Sequence, residues 1–260
     1  MDSTTHTFYP EHGMDSRKHL DVYCSNKEGM VFADDFLTFP MANLHYQLST
    51  GRVKGTFVTD ISIGSFIHQL YSASNSFEEI VILKLKEKCI MELRRWVHDR
   101  TGAYDWSHTS SAAAELEGTR DQLQEQEIRI RSSVKHILKC DFDQENITSP
   151  VLLPLADCII SAWLLETISK NEDEYMRNLE KISKLLKPRG HLLLIGVLDT
   201  TYGVVGEERI HCFKYNEDFV KNVLSKLGLV IDYCAVQRRS NVSDLIDYGA
   251  VIFVAAQKGE

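Results

Sequence analysis

Residue types able to hold or turn over a small molecule collect in four short stretches of this chain: 60–68, 84–89, 141–143 and 161–166. Asp60 and Asp141 are carboxylates that accept hydrogen bonds from hydroxyl, amine or backbone N–H groups. Gly64, without a Cβ, lets a ligand come close to the backbone. Lys84 supplies donors only. The sequence has no G-x-S-x-G nucleophile elbow, no P-loop and no zinc-ligand spacing, and Gly64 alone falls short of a G-x-G-x-x-G dinucleotide fingerprint. Cys24, Cys89, Cys140, Cys158, Cys212 and Cys234 lie far apart with no C-x-x-C pair, so they read as free, mostly buried thiols.

The elements before these stretches give them their importance. From Phe57 onward, short β-branched apolar runs alternate with helical patterns, the signature of crossover units building a parallel sheet. Strands are predicted at 56–63, 79–83, 134–141, 156–162 and 191–197, then at 229–236 and 249–256. The last two, joined by a short connection, predict an antiparallel addition to the sheet. Helices are predicted around 66–71, 89–97, 172–187 and 216–227, with Gly190 taking a left-handed turn after Pro188. Residues 1–50, with Tyr23, Phe32, Phe36, Phe39 and Tyr46, read as a helical cap in front of a core at 51–260, and 102–133 as a charged, solvated helical insertion. In an open parallel sheet the ligand crevice lies beyond the carboxyl ends of the central strands, where the winding direction reverses. The four stretches are the loops that meet that crevice.

Composition narrows the partners. The chain has 260 residues, 29 Lys+Arg against 37 Asp+Glu, and a formal net charge of -8, which provides no overall positive field for nucleic acid or an acidic membrane. The longest apolar run, 151–168, is broken by Pro154, Asp157 and Glu166 and is no bilayer span. The N-terminus lacks a signal-peptide pattern. A cytoplasmic monomer with no metal, handling a small molecule, is the expectation, and the triplets at Asn146 and Asn241 are then chance glycosylation matches.

Asp60-Ile61-Ser62-Ile63-Gly64, Ile67-His68-Gln69-Leu70, Gly102-Ala103-Tyr104-Asp105-Trp106, Leu116-Glu117-Gly118, Leu155-Ala156-Asp157-Cys158, the run from Leu185 to Leu192 and the close Ala255-Ala256-Gln257-Lys258-Gly259 together carry a resemblance. The chain resembles the nicotinamide, indolethylamine and phenylethanolamine N-methyltransferase family over nearly its whole length, with the 102–106 stretch most similar to the indolethylamine branch. The resemblance implies an α/β class I methyltransferase (Rossmann-like) fold: a mostly parallel seven-stranded sheet with an antiparallel last strand and an N-terminal helical cap. It also implies S-adenosylmethionine as cofactor, and a small amine, heterocycle or thioether as methyl acceptor.

Under the resemblance, the cofactor would meet Asp60, Ser62, Ile63, Gly64, His68, Lys84, Asp141, Phe142 and Ala162, and the substrate Gly196, Thr200, Thr201 and Tyr202. No catalytic residue is singled out. Relatives read Asp-Ile-Gly-Ser-Gly-Pro-Thr where this chain has Ser62 and Ile63 before Gly64. If Ser62 must take a positive φ, the cost is about 1 kcal/mol or more. Relatives end the second strand with an acid that accepts both ribose hydroxyls, where this chain has Lys84; Glu87, three residues on, is the alternative acceptor. A family tyrosine falls at His68, two tyrosines of the cap at His19 and Cys24, an asparagine at Cys89, a threonine at Ala162 beside Trp163, and the nicotinamide branch's substrate aspartate at Gly196. Asp141 would sit near the adenine amino group.

Each position also has a structural reading. A lysine at a strand end is ordinarily solvated. Asp141 caps a turn equally well. His68 and His191 are by default packed histidines, and Thr200 to Tyr202 matter only through location. Two functional expectations result: an active S-adenosylmethionine-dependent methyltransferase, which family membership favours, and a pseudo-methyltransferase serving as a small-molecule binder or partner protein, which the departures favour.

Overall fold

The computed structural model describes residues 6–25, 33–120 and 122–260, so Phe32 lies outside the described residues. The strands are β1 (Phe57–Asp60), β2 (Glu79–Lys84), β3 (Val134–Lys139), β4 (Ala156–Ala162), β5 (Leu186–Leu198), β6 (Tyr202–Val205), β7 (Glu208–His211), β8 (Leu229–Arg238) and β9 (Ala250–Lys258). Seven of them form one sheet in the order β3-β2-β1-β4-β5-β9-β8. β1 to β5 run parallel, and β9 pairs antiparallel with both β5 and β8. The winding reverses between β1 and β4, which fixes where a ligand crevice belongs. The apolar runs of β2, β4 and β5 are buried on both faces because helices cover each side.

The helices are α1 (Tyr9–His12), α2 (Ser16–Tyr23), α3 (Phe39–Ser49), α4 (His68–Ser76), α5 (Glu87–Val97), α6 (Ser107–Glu117), α7 (Leu123–Ser133), α8 (Leu165–Ile168), α9 (Glu172–Ser183) and α10 (Glu217–Lys226), with a π-helical turn at Ala33–Thr38 before α3. Three starts are capped by side chains: Asp15 accepts from Lys18 N at 2.8 Å, Asn171 from Glu174 N at 3.0 Å and Asn216 from Phe219 N at 2.9 Å. Each such cap stabilises its helix by about 1 kcal/mol.

The structure departs from the sequence reading in three places. The 102–133 segment is not one solvated helix; it is the pair α6 and α7, packed on α4. The Tyr71 hydroxyl meets Ser110 Oγ at 2.7 Å, Ser110 donates to Glu127 at 2.7 Å, and Ile130 is fully buried. A hairpin of β6 and β7, unforeseen, forms a separate two-stranded sheet and bridges to Thr7 at Ile210 and to Ile246 at Gly203. At the irregularity early in β5, where its register against β4 shifts, the left-handed residue is Arg189, at φ 62°, not Gly190. Gly190 is needed for another reason: a Cβ there would lie 3.0 Å from Lys187 O and 3.1 Å from Asp157 O.

The amino ends of the central strands are held by one carboxylate. Asp157 of β4 accepts from Thr56 N at 2.9 Å and Phe57 N at 3.0 Å, and from Lys187 Nζ at 2.5 Å. Gly55 leaves room for it, since a Cβ there would sit 2.3 Å from Asp157 Cβ.

Candidate functional site

The register that places Asp60 beside Ile82 carries Lys84 past the end of β1, so its side chain reaches back over the loop after that strand. Asp60 and Lys84 are each only 1% exposed. The Lys84 ammonium lies 3.1 Å from Asp60 Oδ2 and donates to the Ser62 carbonyl at 2.7 Å. Asp60 Oδ1 accepts from Ser62 Oγ at 2.7 Å and from Gln69 Nε2 at 3.0 Å. Lys84 is therefore a buried ion-pair partner, not a solvated strand end. Glu87, at the exposed start of α5, makes no contact with this network.

The loop after β1 relaxes without the anticipated strain. Ser62 is not among the positive-φ residues; its hydroxyl instead accepts the Ala162 N–H at 3.0 Å and ties the ends of β1 and β4 together. Gly64 does carry φ 60°, and its missing Cβ would stand 2.4 Å from His19 Nδ1. His19 thus lies flat over the loop, stacked on Phe66 with ring centres 4.6 Å apart. His68 flanks Phe66 at 5.4 Å. Burial, reinforced by the Lys84 ammonium, pushes both imidazoles down to about 3, so both are neutral at pH 7. His19 Nδ1 and both His68 nitrogens have no hydrogen-bond partner among the described residues.

Beyond His19 is an apolar cavity of about 60 Å³, walled by Tyr23, Phe36, Phe66, Trp163 and Ile63. Phe36 and Trp163 rings are 5.0 Å apart, and Trp163 holds a left-handed φ of 58° that turns its ring inward from the end of β4. Glu166 is the acidic residue of this wall. Its Oε1 accepts the Val197 N–H at 3.1 Å, and burial raises its carboxyl to about 7. Sequence reasoning placed Glu166 at the end of a loop and gave it no role. The available signal was a carboxylate inside the apolar run 161–168, which must be satisfied or functional when buried. A half-ionised carboxyl among aromatic rings can receive a small amine or other donor.

The residues expected to meet substrate have partners within the protein. A Cβ at Gly196 would be 2.3 Å from the Tyr215 hydroxyl, so Tyr215 fills the space of any side chain there. Thr200, Thr201 and Tyr202 do not line the cavity, because Asp247 gathers them. Its carboxylate accepts from Thr201 N at 2.7 Å, Tyr202 N at 3.0 Å, Thr200 Oγ1 at 3.1 Å and Thr201 Oγ1 at 2.5 Å, and so clips the approach to the hairpin. Cys24 is buried, and the tyrosine of the cap that reaches the cavity is Tyr23. At the other end, Asp141 caps a turn by accepting Asp143 N at 2.9 Å, while Asp141 and Phe142 also line an open groove of about 570 Å³ beyond β2 and β3. All six cysteines are free. Among the described residues there is no cluster suited to a metal ion, and no helix is long and apolar enough to cross a membrane.

The sheet order, the reversal between β1 and β4 and the antiparallel β9 define the class I S-adenosylmethionine-dependent methyltransferase fold. Magnesium protoporphyrin IX methyltransferase from Synechocystis, solved with bound SAH, superposes with a TM-score of 0.58 at 13% identity, covering 97% of this chain and 96% of that one. The NNMT/PNMT/TEMT family profile matches residues 4–259. Indolethylamine N-methyltransferase of Mus musculus is 31% identical over 243 residues, 94% of this chain and 92% of its own length. Nicotinamide N-methyltransferase of Homo sapiens is 30% identical over 242 residues, 93% and 92%. The chain belongs to the NNMT/PNMT/TEMT family.

Proposed function

We propose that this chain is a small-molecule methyltransferase of its family, with an amine, heterocycle or thioether as its class of acceptor, whose grip on S-adenosylmethionine is reduced until methyl transfer is weak or lost. In that state it serves as a small-molecule-binding or partner protein. The observation that carries this reading is the buried Lys84–Asp60 pair. A ribose diol needs an acceptor at the end of β2, and an ammonium has none to offer. The acceptor nearby, Asp60, is already engaged by Lys84, Ser62 and Gln69, and Glu87 is exposed at the start of α5. His19 lies against Gly64, where a Cβ would be only 2.4 Å away, so backbone room in that loop is taken by the protein's own side chain. The residues present thus do not fit the nucleoside as the family holds it. Two hydrogen bonds to a charged acceptor, at roughly 1.5 to 3 kcal/mol each, correspond to an affinity reduced about 100-fold or more.

A second reading, an active methyltransferase, is favoured by the cavity that joins Glu166 to Tyr23, Phe36 and Trp163. Those are groups suited to a small amine acceptor at the carboxyl ends of the strands. Calorimetric titration of S-adenosylmethionine and S-adenosylhomocysteine into the purified protein separates the two. The first reading expects no saturable heat up to millimolar ligand, and recovery of measurable binding in the Lys84→Asp, Ser62→Gly variant. Micromolar binding by the unaltered protein, weakened by Asp141→Ala, establishes the second and overturns the first.

A further inference from the structure

β3 is an end strand of the sheet, so one of its edges has no neighbouring strand. Cys140 N donates to Lys84 O at 2.9 Å, which sets the alternation: the backbone groups of His136, Leu138 and Cys140 face β2, and those of Ile137 and Lys139 face outward. Ile137 O accepts from Arg94 Nη2 at 3.1 Å, while among the described residues Ile137 N and both backbone groups of Lys139 have no partner. The end of α5 borders this edge and makes with it a cleft of about 210 Å³, lined by Arg94, Val97 and His98 and by residues 134–138. That volume is below the range of small-molecule sites. No carboxylate lines it. Arg94 and Lys135 are exposed and in no ion pair among the described residues, since Arg94 meets a carbonyl and Lys135 Nζ donates to Ser132 O at 2.9 Å. The nearby acids are committed elsewhere: Glu92 to Arg17 at 2.6 Å and Arg95 at 3.3 Å, and Asp99 to Arg131 at 3.3 Å. Glu79 and Glu87, at the starts of β2 and α5, lie outside the cleft. In a chain of net charge -8, this edge is cationic.

We infer that an acidic segment of a partner protein adds to β3 as a further strand. Its backbone takes up the outward groups of Ile137 and Lys139, and the second lone pair of Ile137 O remains open to it beside Arg94. Alternate side chains of an added strand point the same way, so carboxylates at every second position enter the cleft against Arg94 and Lys135, and the guanidinium takes them in pairs. The half-buried Val134 and Leu138 give apolar residues of the segment a surface to pack on. A second copy of β3 does not fit, because like charges would face one another. The inference rests on the partner half of the proposed function for its use and on the edge for its chemistry; the cavity and Lys84 take no part.

The test is fluorescence anisotropy with a short labelled peptide of alternating Glu and Val on the whole protein. Beside it stand a Lys-Val peptide of the same length, a Glu-Val peptide methylated at every backbone nitrogen, and polyphosphate as competitor. The Glu-Val peptide is expected to bind at least about tenfold more tightly than either other peptide, to weaken with ionic strength, and to lose about tenfold or more on Arg94→Glu with Lys135→Glu. It is also expected to slow hydrogen exchange at the amides of Ile137 and Lys139. Both substituted residues are exposed, and the unfolding midpoint of the variant checks its folding. Equal binding of the methylated peptide removes strand addition, an unaffected charge-reversal variant removes the cleft, and displacement by polyphosphate as effective as by unlabelled peptide removes the peptide; each overturns the inference. Titration of S-adenosylhomocysteine bears on the proposed function and not on this edge, so either can fail without the other.

Discussion

Replacing Lys84 by methionine removes an ammonium of similar length while leaving Asp60 with its two remaining hydrogen-bond donors, Ser62 Oγ and Gln69 Nε2. Both partners are 1% exposed and 3.1 Å apart, so water does not compensate the carboxylate left behind. Breaking a buried pair from one side costs about 3 to 5 kcal/mol, whereas replacing both partners by neutral groups of similar shape is close to neutral. At about 2 to 4 °C per kcal/mol for a chain of this size, Lys84→Met lowers the melting temperature by roughly 6 to 20 °C. Asp60→Asn combined with Lys84→Met recovers most of that. Urea unfolding of the wild type, both single variants and the double variant closes the cycle. A Lys84→Met protein within 1 kcal/mol of wild type at pH 7 refutes the view that Lys84 is the counter-charge of Asp60.

Glu166 makes a second pH signature. Its folded-state value near 7 lies above that of an unfolded glutamate, so stability is lost as pH rises between the two, by on the order of 3 kcal/mol. Denaturation at pH 5 and pH 8 is expected to show this slope in the wild type and a smaller one in Glu166→Gln. Gly64→Ala places a Cβ 2.4 Å from His19 Nδ1 at φ 60° and is expected to destabilise by about 2 kcal/mol or more, of which His19→Ala restores the steric part but not the backbone part. Gly196→Asp collides with the Tyr215 hydroxyl, and thermal unfolding should show a loss that Tyr215→Ala partly relieves.

The main strands and several helices were legible because their signals are local. The continuous apolar runs of β2, β4 and β5 and the caps at Asn171 and Asn216 lie within a few residues of what they determine. The hairpin of β6 and β7 was not, because 202–211 alternates only weakly, and the bridge from Ile210 to Thr7 joins segments about 200 residues apart. The α6 and α7 pair looked solvated because its buried contacts, such as Tyr71 with Ser110, use polar side chains whose partners lie elsewhere in the sequence. The candidate site was legible as a location and, at Lys84, as a chemical misfit. Its occupancy by the protein's own groups was hidden: His19 over Gly64, Tyr215 behind Gly196 and the Asp247 clip each join segments far apart in the chain.

Asp157 secures the rear of β1 to β4 and β5, at the end of the sheet opposite Lys84, Glu166 and Trp163. Strand alignment in this molecule is thereby anchored at the amino ends of the strands, away from the cavity at their carboxyl ends. The architecture can tolerate turnover of residues at its working rim without slippage of the scaffold. The same anchorage makes Asp157 a position where even asparagine, which keeps the shape and gives up the charge, should loosen three strands together.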